Sequence, residues 1–148
     1  GKQEKIHPYD YEKETVSAGT EAKIFKTSCK FGIMICYDTV FPGVAQMLAN
    51  KGAEILFSPS RIVKEGIEPW KMYVQVRSLE NRIPIIAPNV ENTKFGGNSM
   101  IIELVKEEKI VKTKITKPEG GFEISADITL SNYKKMRIQR SEDRNKFQ

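Results

Sequence analysis

The sequence is poor in the side chains from which metal centres are built. It holds one histidine, His7, and two cysteines, Cys29 and Cys36, among 148 residues, with no Cys-x-x-Cys pair. Zinc and iron sites need several such ligands at short spacings, so the composition argues against a bound metal and implies no cofactor. Long apolar runs are missing as well. None approaches the roughly 20 residues that cross a bilayer as a helix, and Gly1-Lys2-Gln3-Glu4-Lys5 lacks the apolar segment of a secretory signal. The expectation is a cytoplasmic protein with no membrane partner. The two thiols stand seven residues apart and are expected to be free, although adjacent strands would allow a disulfide.

Internal repeats and low-complexity tracts are also absent. What is present is the composition of an ordinary globular domain, 39% hydrophobic and 29% charged, and residues 1–148 read as one domain. The net charge of +5 admits a nucleic-acid partner. The lysines, however, are interleaved with glutamates, as in Lys106-Glu107-Glu108-Lys109, and this reads as a solvated surface with no nucleic acid bound.

Gly1 to Gly19 shows no periodicity and is read as a loop that visits a site. Alternation from Glu21 to Cys29 predicts a strand that turns through Ser28-Cys29-Lys30 into a second strand, Phe31 to Cys36. Val44, Met47 and Leu48, with Ala45 and Ala49, predict a helix that starts at Pro42 and stops at Asn50-Lys51-Gly52. Ala53 to Phe57 reads as a buried strand, which makes a βαβ unit with parallel pairing and a right-handed crossover. The loop from Ser58 to Glu68 leaves the carboxyl end of that strand, where ligands commonly sit.

From Pro69 to Arg82, the residues Met72, Tyr73, Val76 and Leu79, with Ile83 beyond, predict an amphipathic helix with that face buried. Arg77, Glu80 and Arg82 read as a structural ion-pair set at its end, and Trp70 as core or interface. Ile83 to Pro88 predicts a strand whose prolines favour a strand end or a sheet edge. Three more strands are expected at 98–104, 109–114 and 121–127, the first two joined by a turn at 106–108. A short helix over 129–137 and a charged tail over 139–148 complete the chain.

Cys36 ends an Ile-rich strand, Phe31-Gly32-Ile33-Met34-Ile35, and is followed at once by Tyr37-Asp38-Thr39. A buried cysteine in such a place is commonly an inert core residue. A nucleophile there needs neighbours, because the thiolate is the attacking species and an unperturbed thiol, with a pKa of about 8.5, is only slightly ionised at neutral pH.

Gly32 to Asp38 followed by Phe41-Pro42, then Gly52-Ala53-Glu54-Ile55-Leu56 and Ser58-Pro59, resembles the nucleophile region of the nitrilase superfamily, the carbon-nitrogen hydrolases. Lys5-Ile6-His7 is similar to that family's lysine motif, Glu80-Asn81-Arg82 to its helix end, Gly97-Asn98-Ser99 to its glycine-x-serine segment and Asp143-Arg144 to its tail. The resemblance implies an α-β-β-α sandwich and a catalytic triad of glutamate, lysine and cysteine. It makes Cys36 the nucleophile, Lys5 the triad lysine and Glu12 similar to a second glutamate near the site, while His7 accompanies the lysine without serving as base.

Such a set suits cleavage of a small amide or nitrile. A carboxylate takes the thiol proton and the thiolate adds to the carbon. The Lys5 ammonium and the Tyr37 N–H then hold the charge that develops, and water releases the acyl group. Ser58, Ser60 and Arg61 are candidates for the substrate pocket. Taken singly, Lys5 reads as a surface lysine, and Glu12 reads equally as a solvated charge.

The sequence departs from the family at several places. The triad glutamate lies well upstream of the lysine there, and only four residues precede Lys5. The expectation is that the chain is the carboxyl-terminal part of the domain, completed by a missing amino-terminal part or by another copy in a homo-oligomer, or else a non-catalytic fragment acting as an interaction module. Gly43 and Gln46 stand where the family has glutamate and arginine, which bears on specificity. A charged hairpin over 103–108 replaces a proline-x-glycine turn.

Overall fold

A computed structural model describes residues 1–120 and 123–146. The strands are β1 (Ile24–Lys26), β2 (Lys30–Ile33), β3 (Ile55–Phe57), β4 (Ile85–Ala87), β5 (Met100–Glu107) and β6 (Ile110–Thr116), and the helices are α1 (Pro42–Asn50), α2 (Ile67–Asn81) and α3 (Ser131–Asn145). The strands form one six-stranded sheet in chain order. β2, β3 and β4 run parallel, and the pairs β1-β2, β4-β5 and β5-β6 are antiparallel. This mixed α/β layout provides one sheet and its helices of the expected α-β-β-α sandwich.

The register sets the two faces. Ile24, Gly32, Leu56, Ile85, Ile102 and Ile115 lie in one row across all six strands. Most of this row joins Val44, Ala45 and Leu48 of α1 and Trp70 and Val74 of α2 in the core. Gly32 is the notch in the row, since a Cβ there would stand 2.7 Å from Cδ2 of Leu48. Side chains alternate across a strand, so Phe25, Phe31, Ile33, Phe57 and Ile86 belong to the opposite face. Phe31 stacks on Phe25 at 5.4 Å and meets Phe57 edge-on at 5.5 Å. All five are only half-buried.

The predicted hairpin, the βαβ unit and α1 stand where expected, with Pro42 in the first turn of α1 and Gly52 at positive φ just past its end. Other expectations are corrected. α2 buries Ile67, Trp70, Val74, Arg77, Ser78 and Asn81. It leaves Met72, Tyr73 and Val76 exposed, the reverse of the predicted face. The buried side chains of Arg77, Ser78 and Asn81 have partners, Arg77 donating to the Thr39 and Val40 carbonyls, Ser78 to Ile83 and Asn81 to Arg77, whereas the buried Trp70 Nε1–H has none. Periodicity weighs only apolarity and does not register carbonyls waiting on the facing segment.

β4 lies inside the sheet, with Pro84 and Pro88 just outside its ends, so the edge alternative fails and the strand-end alternative holds. The strand expected over 121–127 begins on residues outside those described, and 123–127 form none. Ile124, Ala126 and Ile128 nevertheless alternate as half-buried positions. The sequence pattern therefore reports an extended segment with one side against the surface, without a hydrogen-bonded ladder. α3 absorbs both the short helix and most of the charged tail, and the hairpin turn falls at Glu108-Lys109.

Candidate active site

Pairing of β2 with β3 continues past the strand ends and carries Cys36 outward. The Met34 N–H donates to the Phe57 carbonyl and the Cys36 N–H to the Pro59 carbonyl, both at 2.9 Å. Cys36 then opens a 3-10 turn, Cys36–Val40, with its own φ at 51°. That value lies in the left-handed region, which disfavours any side chain with a Cβ and is met mostly where surroundings enforce it. The thiol is half-buried, and neither Cys36 nor Cys29 is bridged.

The amino-terminal segment is held against this turn by Asp38, which is only 1% exposed. Oδ1 accepts the His7 N–H at 2.8 Å and lies 3.0 Å from His7 Nδ1. Oδ2 accepts the Ile35 N–H at 3.0 Å and the Ile6 N–H at 3.3 Å. The His7 ring stacks on Phe41 at 3.8 Å. Lys5 stands one residue before Ile6, so these bonds fix where its side chain leaves the backbone. A second anchor is the Gly19 N–H, which donates to the Lys5 carbonyl at 2.8 Å. Glycine is required there, because a Cβ would stand 2.8 Å from Cβ of Glu4 and 3.0 Å from its carbonyl oxygen.

The Lys5 ammonium, whose side chain is 10% exposed, is in contact with Oε2 of Glu12. The same oxygen accepts the Tyr9 N–H at 2.6 Å, which closes the 3-10 turn Asp10–Glu14. Burial pushes the Glu12 carboxyl up, but the Lys5 and Tyr9 hydrogen bonds and the charges of Lys5 and Arg61 outweigh it, and the group is held below the usual carboxylate range. Tyr37 meets Tyr9 edge-on at 5.0 Å, which ties the residue after Cys36 to the turn that carries Glu12.

The structure thus brings Lys5 and Glu12 into contact, joins Cys36 and Tyr37 to them through Asp38 and Tyr9, and sets Arg61 near enough to bias Glu12. Arg61 is exposed, with its guanidinium 4.7 Å from the ring centroid of Phe95. Ser60 is buried and its hydroxyl donates to the Ser58 carbonyl at 3.1 Å, while Ser58 pairs with Thr39 at 2.7 Å. Those two serines brace the loop, and no hydrogen bond joins their side chains to Lys5, Glu12 or Cys36. Beside the turn opens a groove of about 730 Å³ lined by His7, Lys13, Ser17, Tyr37 and Phe41.

Asp38 is the residue whose part the sequence left unassigned, while Arg77 forms the expected ion pair with Glu80 at 3.0 Å and adds bonds to the Thr39 and Val40 carbonyls that nothing in the sequence signals. Asp38 sits three residues after Ile35, the spacing of a helix-start capping pair, but the spacing gives no sign of its reach to His7. Among the described residues, no three His, Cys, Asp or Glu side chains gather as a metal site.

With this geometry in view, the comparisons define the class: residues 1–137 match the carbon-nitrogen hydrolase family, and the chain belongs to it. It is similar to a probable nitrilase of Schizosaccharomyces pombe, at 34% identity over 84% of this chain and 47% of that protein. It is similar as well to an omega-amidase of Xenopus laevis, at 31% identity over 93% of this chain and 54% of that protein. The crystal structure of a carbon-nitrogen hydrolase from Helicobacter pylori superposes with a TM-score of 0.72 at 26% identity, over 95% of this chain and 55% of that one. The chain spans about half the length of the curated relatives it matches.

Proposed function

We propose that this chain supplies the nucleophile and the lysine of an amide-cleaving site, acting on a small amide or nitrile through a thioester at Cys36. The observation that carries this reading is the Lys5–Glu12 contact on a segment that Asp38 fastens to the Cys36 turn. In the reaction, the Cys36 thiol gives its proton to a carboxylate and Sγ bonds to the carbonyl carbon. The oxyanion is met by the Lys5 ammonium and the Tyr37 N–H, and collapse breaks the carbon-nitrogen bond as the amine leaves with a proton. Water then adds to the thioester and returns the thiol. Preorganised donors of this kind commonly supply a large share of the rate.

The proton acceptor is proposed to come from a further part of the domain. Glu12 is engaged by Lys5 and Tyr9, and both oxygens of Asp38 are occupied. The same occupancy favours the alternative, a fragment or pseudoenzyme with this fold that acts as an interaction module. The half-buried row of Phe25, Phe31 and Phe57 is proposed as the surface on which the remainder of the sandwich or a second copy packs, because an apolar sheet face is stabilised by cover.

The test is covalent capture. Incubated with the weakly reactive amide analogue fluoroacetamide, together with any upstream segment, the protein should gain one carbamoylmethyl group on Cys36 in mass spectra, Sγ forming a thioether as fluoride leaves, with Cys29 unmodified, and Cys36→Ala should lose it. Absence of an adduct at Cys36 under those conditions leaves the interaction-module reading standing.

A further inference from the structure

The carboxylate of Asp38 takes no part in the bond-making steps above, yet among the described residues it is the one side chain bonded both to the nucleophile's turn and to the lysine's segment. Oδ2 accepts the Ile35 N–H at 3.0 Å, an i to i+3 closure around Cys36. From the same buried group, bonds reach Ile6 and His7, which lie 32 and 31 residues away in sequence. We propose that Asp38 is the positioning residue that sets the separation of the Lys5 ammonium from the Cys36 thiol. The inference rests on the reading of Cys36 and Lys5 as a working pair.

The chemistry of the four contacts requires a carboxylate. His7 N–H and Ile35 N–H are obligate donors, and they approach different oxygens of one planar group. An aspartate accepts on both sides. Asparagine has the same shape but offers oxygen on one side only, so its NH2 must face either the His7 N–H or the Ile35 and Ile6 N–H groups. A donor against a donor in a buried site leaves both unsatisfied. The Asp38→Asn variant therefore loses either the His7 N–H bond, one of the two backbone bonds that hold the Lys5 segment, or the Ile35 and Ile6 bonds together, and in neither orientation keeps the whole tie between turn and segment.

Consequences for the thiol follow from position. A lysine ammonium beside a thiol favours the thiolate by direct charge attraction, an effect that falls with distance. Lys5 is steered by backbone bonds at the next two residues, so loosening them moves the ammonium even though Lys5 itself is unchanged. His7 adds a side-chain contact to Oδ1 and a stacked ring on Phe41, which stiffens the same segment.

The test uses the full chain carrying Cys29→Ser, so that Cys36 is the remaining thiol. The quantity measured at neutral pH is the rate of Cys36 alkylation by iodoacetamide in the parent, the two single variants and the double variant. Asp38→Asn is expected to slow alkylation about tenfold, and Lys5→Met to do the same. The double variant should be no slower than the slower single one, because Asp38 acts through Lys5 and coupled residues are non-additive. Asp38→Ser, which keeps one acceptor for the Ile35 N–H, serves if the asparagine variant does not fold, with the same loss expected.

A folded Asp38 variant with wild-type alkylation overturns the proposal. Fully multiplicative losses in the double variant overturn it too, since they assign Asp38 a structural part independent of the lysine. Failure of the underlying pair looks different: Lys5→Met would then leave Cys36 reactivity unchanged whatever Asp38 does.

Discussion

Arg77 in α2 and Thr39 in the turn after Cys36 are joined by a buried hydrogen bond, Nε to carbonyl oxygen at 2.9 Å, and the same guanidinium donates to Val40 at 2.8 Å. Its Nη1 is paired with Glu80 at 3.0 Å. A helix on the core side thus holds the far end of the turn whose near end carries the thiol. Replacing Arg77 by Met leaves the two carbonyls without donors, and hydrogen bonds to charged groups are worth about 1.5–3 kcal/mol each. The expected loss is about 2–3 kcal/mol in urea unfolding, and a loss below about 0.5 kcal/mol would refute this account of the turn.

Gly32→Ala tests the notch in β2. The added methyl meets Leu48 Cδ2 at 2.7 Å and Cδ1 at 2.9 Å in a core with no slack. Overpacking of this kind costs about 1–3 kcal/mol, and Leu48→Val in the same chain should recover part of it. Denaturant midpoints of the single and double variants decide the matter, and an unchanged midpoint for Gly32→Ala would show that α1 yields freely.

Glu12 is expected to make stability depend on acid. Its folded-state pKa lies below the ordinary carboxylate range, so its ionised form stabilises the fold at neutral pH, and that contribution is lost as pH falls through the depressed folded value. Glu12→Gln should therefore be less stable than the parent at neutral pH, with the two curves converging in acid. Parallel curves across the whole range would mean that the Lys5 contact contributes no linkage.

Phe31→Ser addresses the aromatic sheet face. If that face is covered by another polypeptide, sedimentation velocity should show weaker association for the variant than for the parent at equal concentration, with little change in monomer helicity. Identical association would remove the sheet face from the interface and turn attention to Met72, Tyr73 and Val76 on α2.

Much of the layout was legible because local signals agreed with one another. Pro42 and Gly52 bracket α1, and the apolar runs at Phe31 and Ile55 end in turn residues where the structure ends the parallel pairing. The site was legible in part: Lys5 and Glu12 are in contact, and Cys36 stands at the strand's carboxyl end. What could not be read was whatever depends on partners distant in sequence. The face of α2 was inverted because Arg77, Ser78 and Asn81 are buried against carbonyls. Asp38 is a polar letter beside a cysteine until His7, 31 residues earlier, is folded onto it. The bond from the Ser60 hydroxyl to the Ser58 carbonyl is likewise invisible until the loop is folded.

The left-handed φ of 51° at Cys36 sets stability against chemistry at a single position. Asparagine adopts that backbone region more readily than other residues with a Cβ, and a non-glycine side chain there costs about 1–2 kcal/mol. Cys36→Asn should accordingly melt higher than the parent while losing every reaction of the thiol, as stabilising changes at working sites commonly do. A search for tighter folding would discard this cysteine first; if Cys36 is the nucleophile proposed above, the chain gives up some durability there for reactivity.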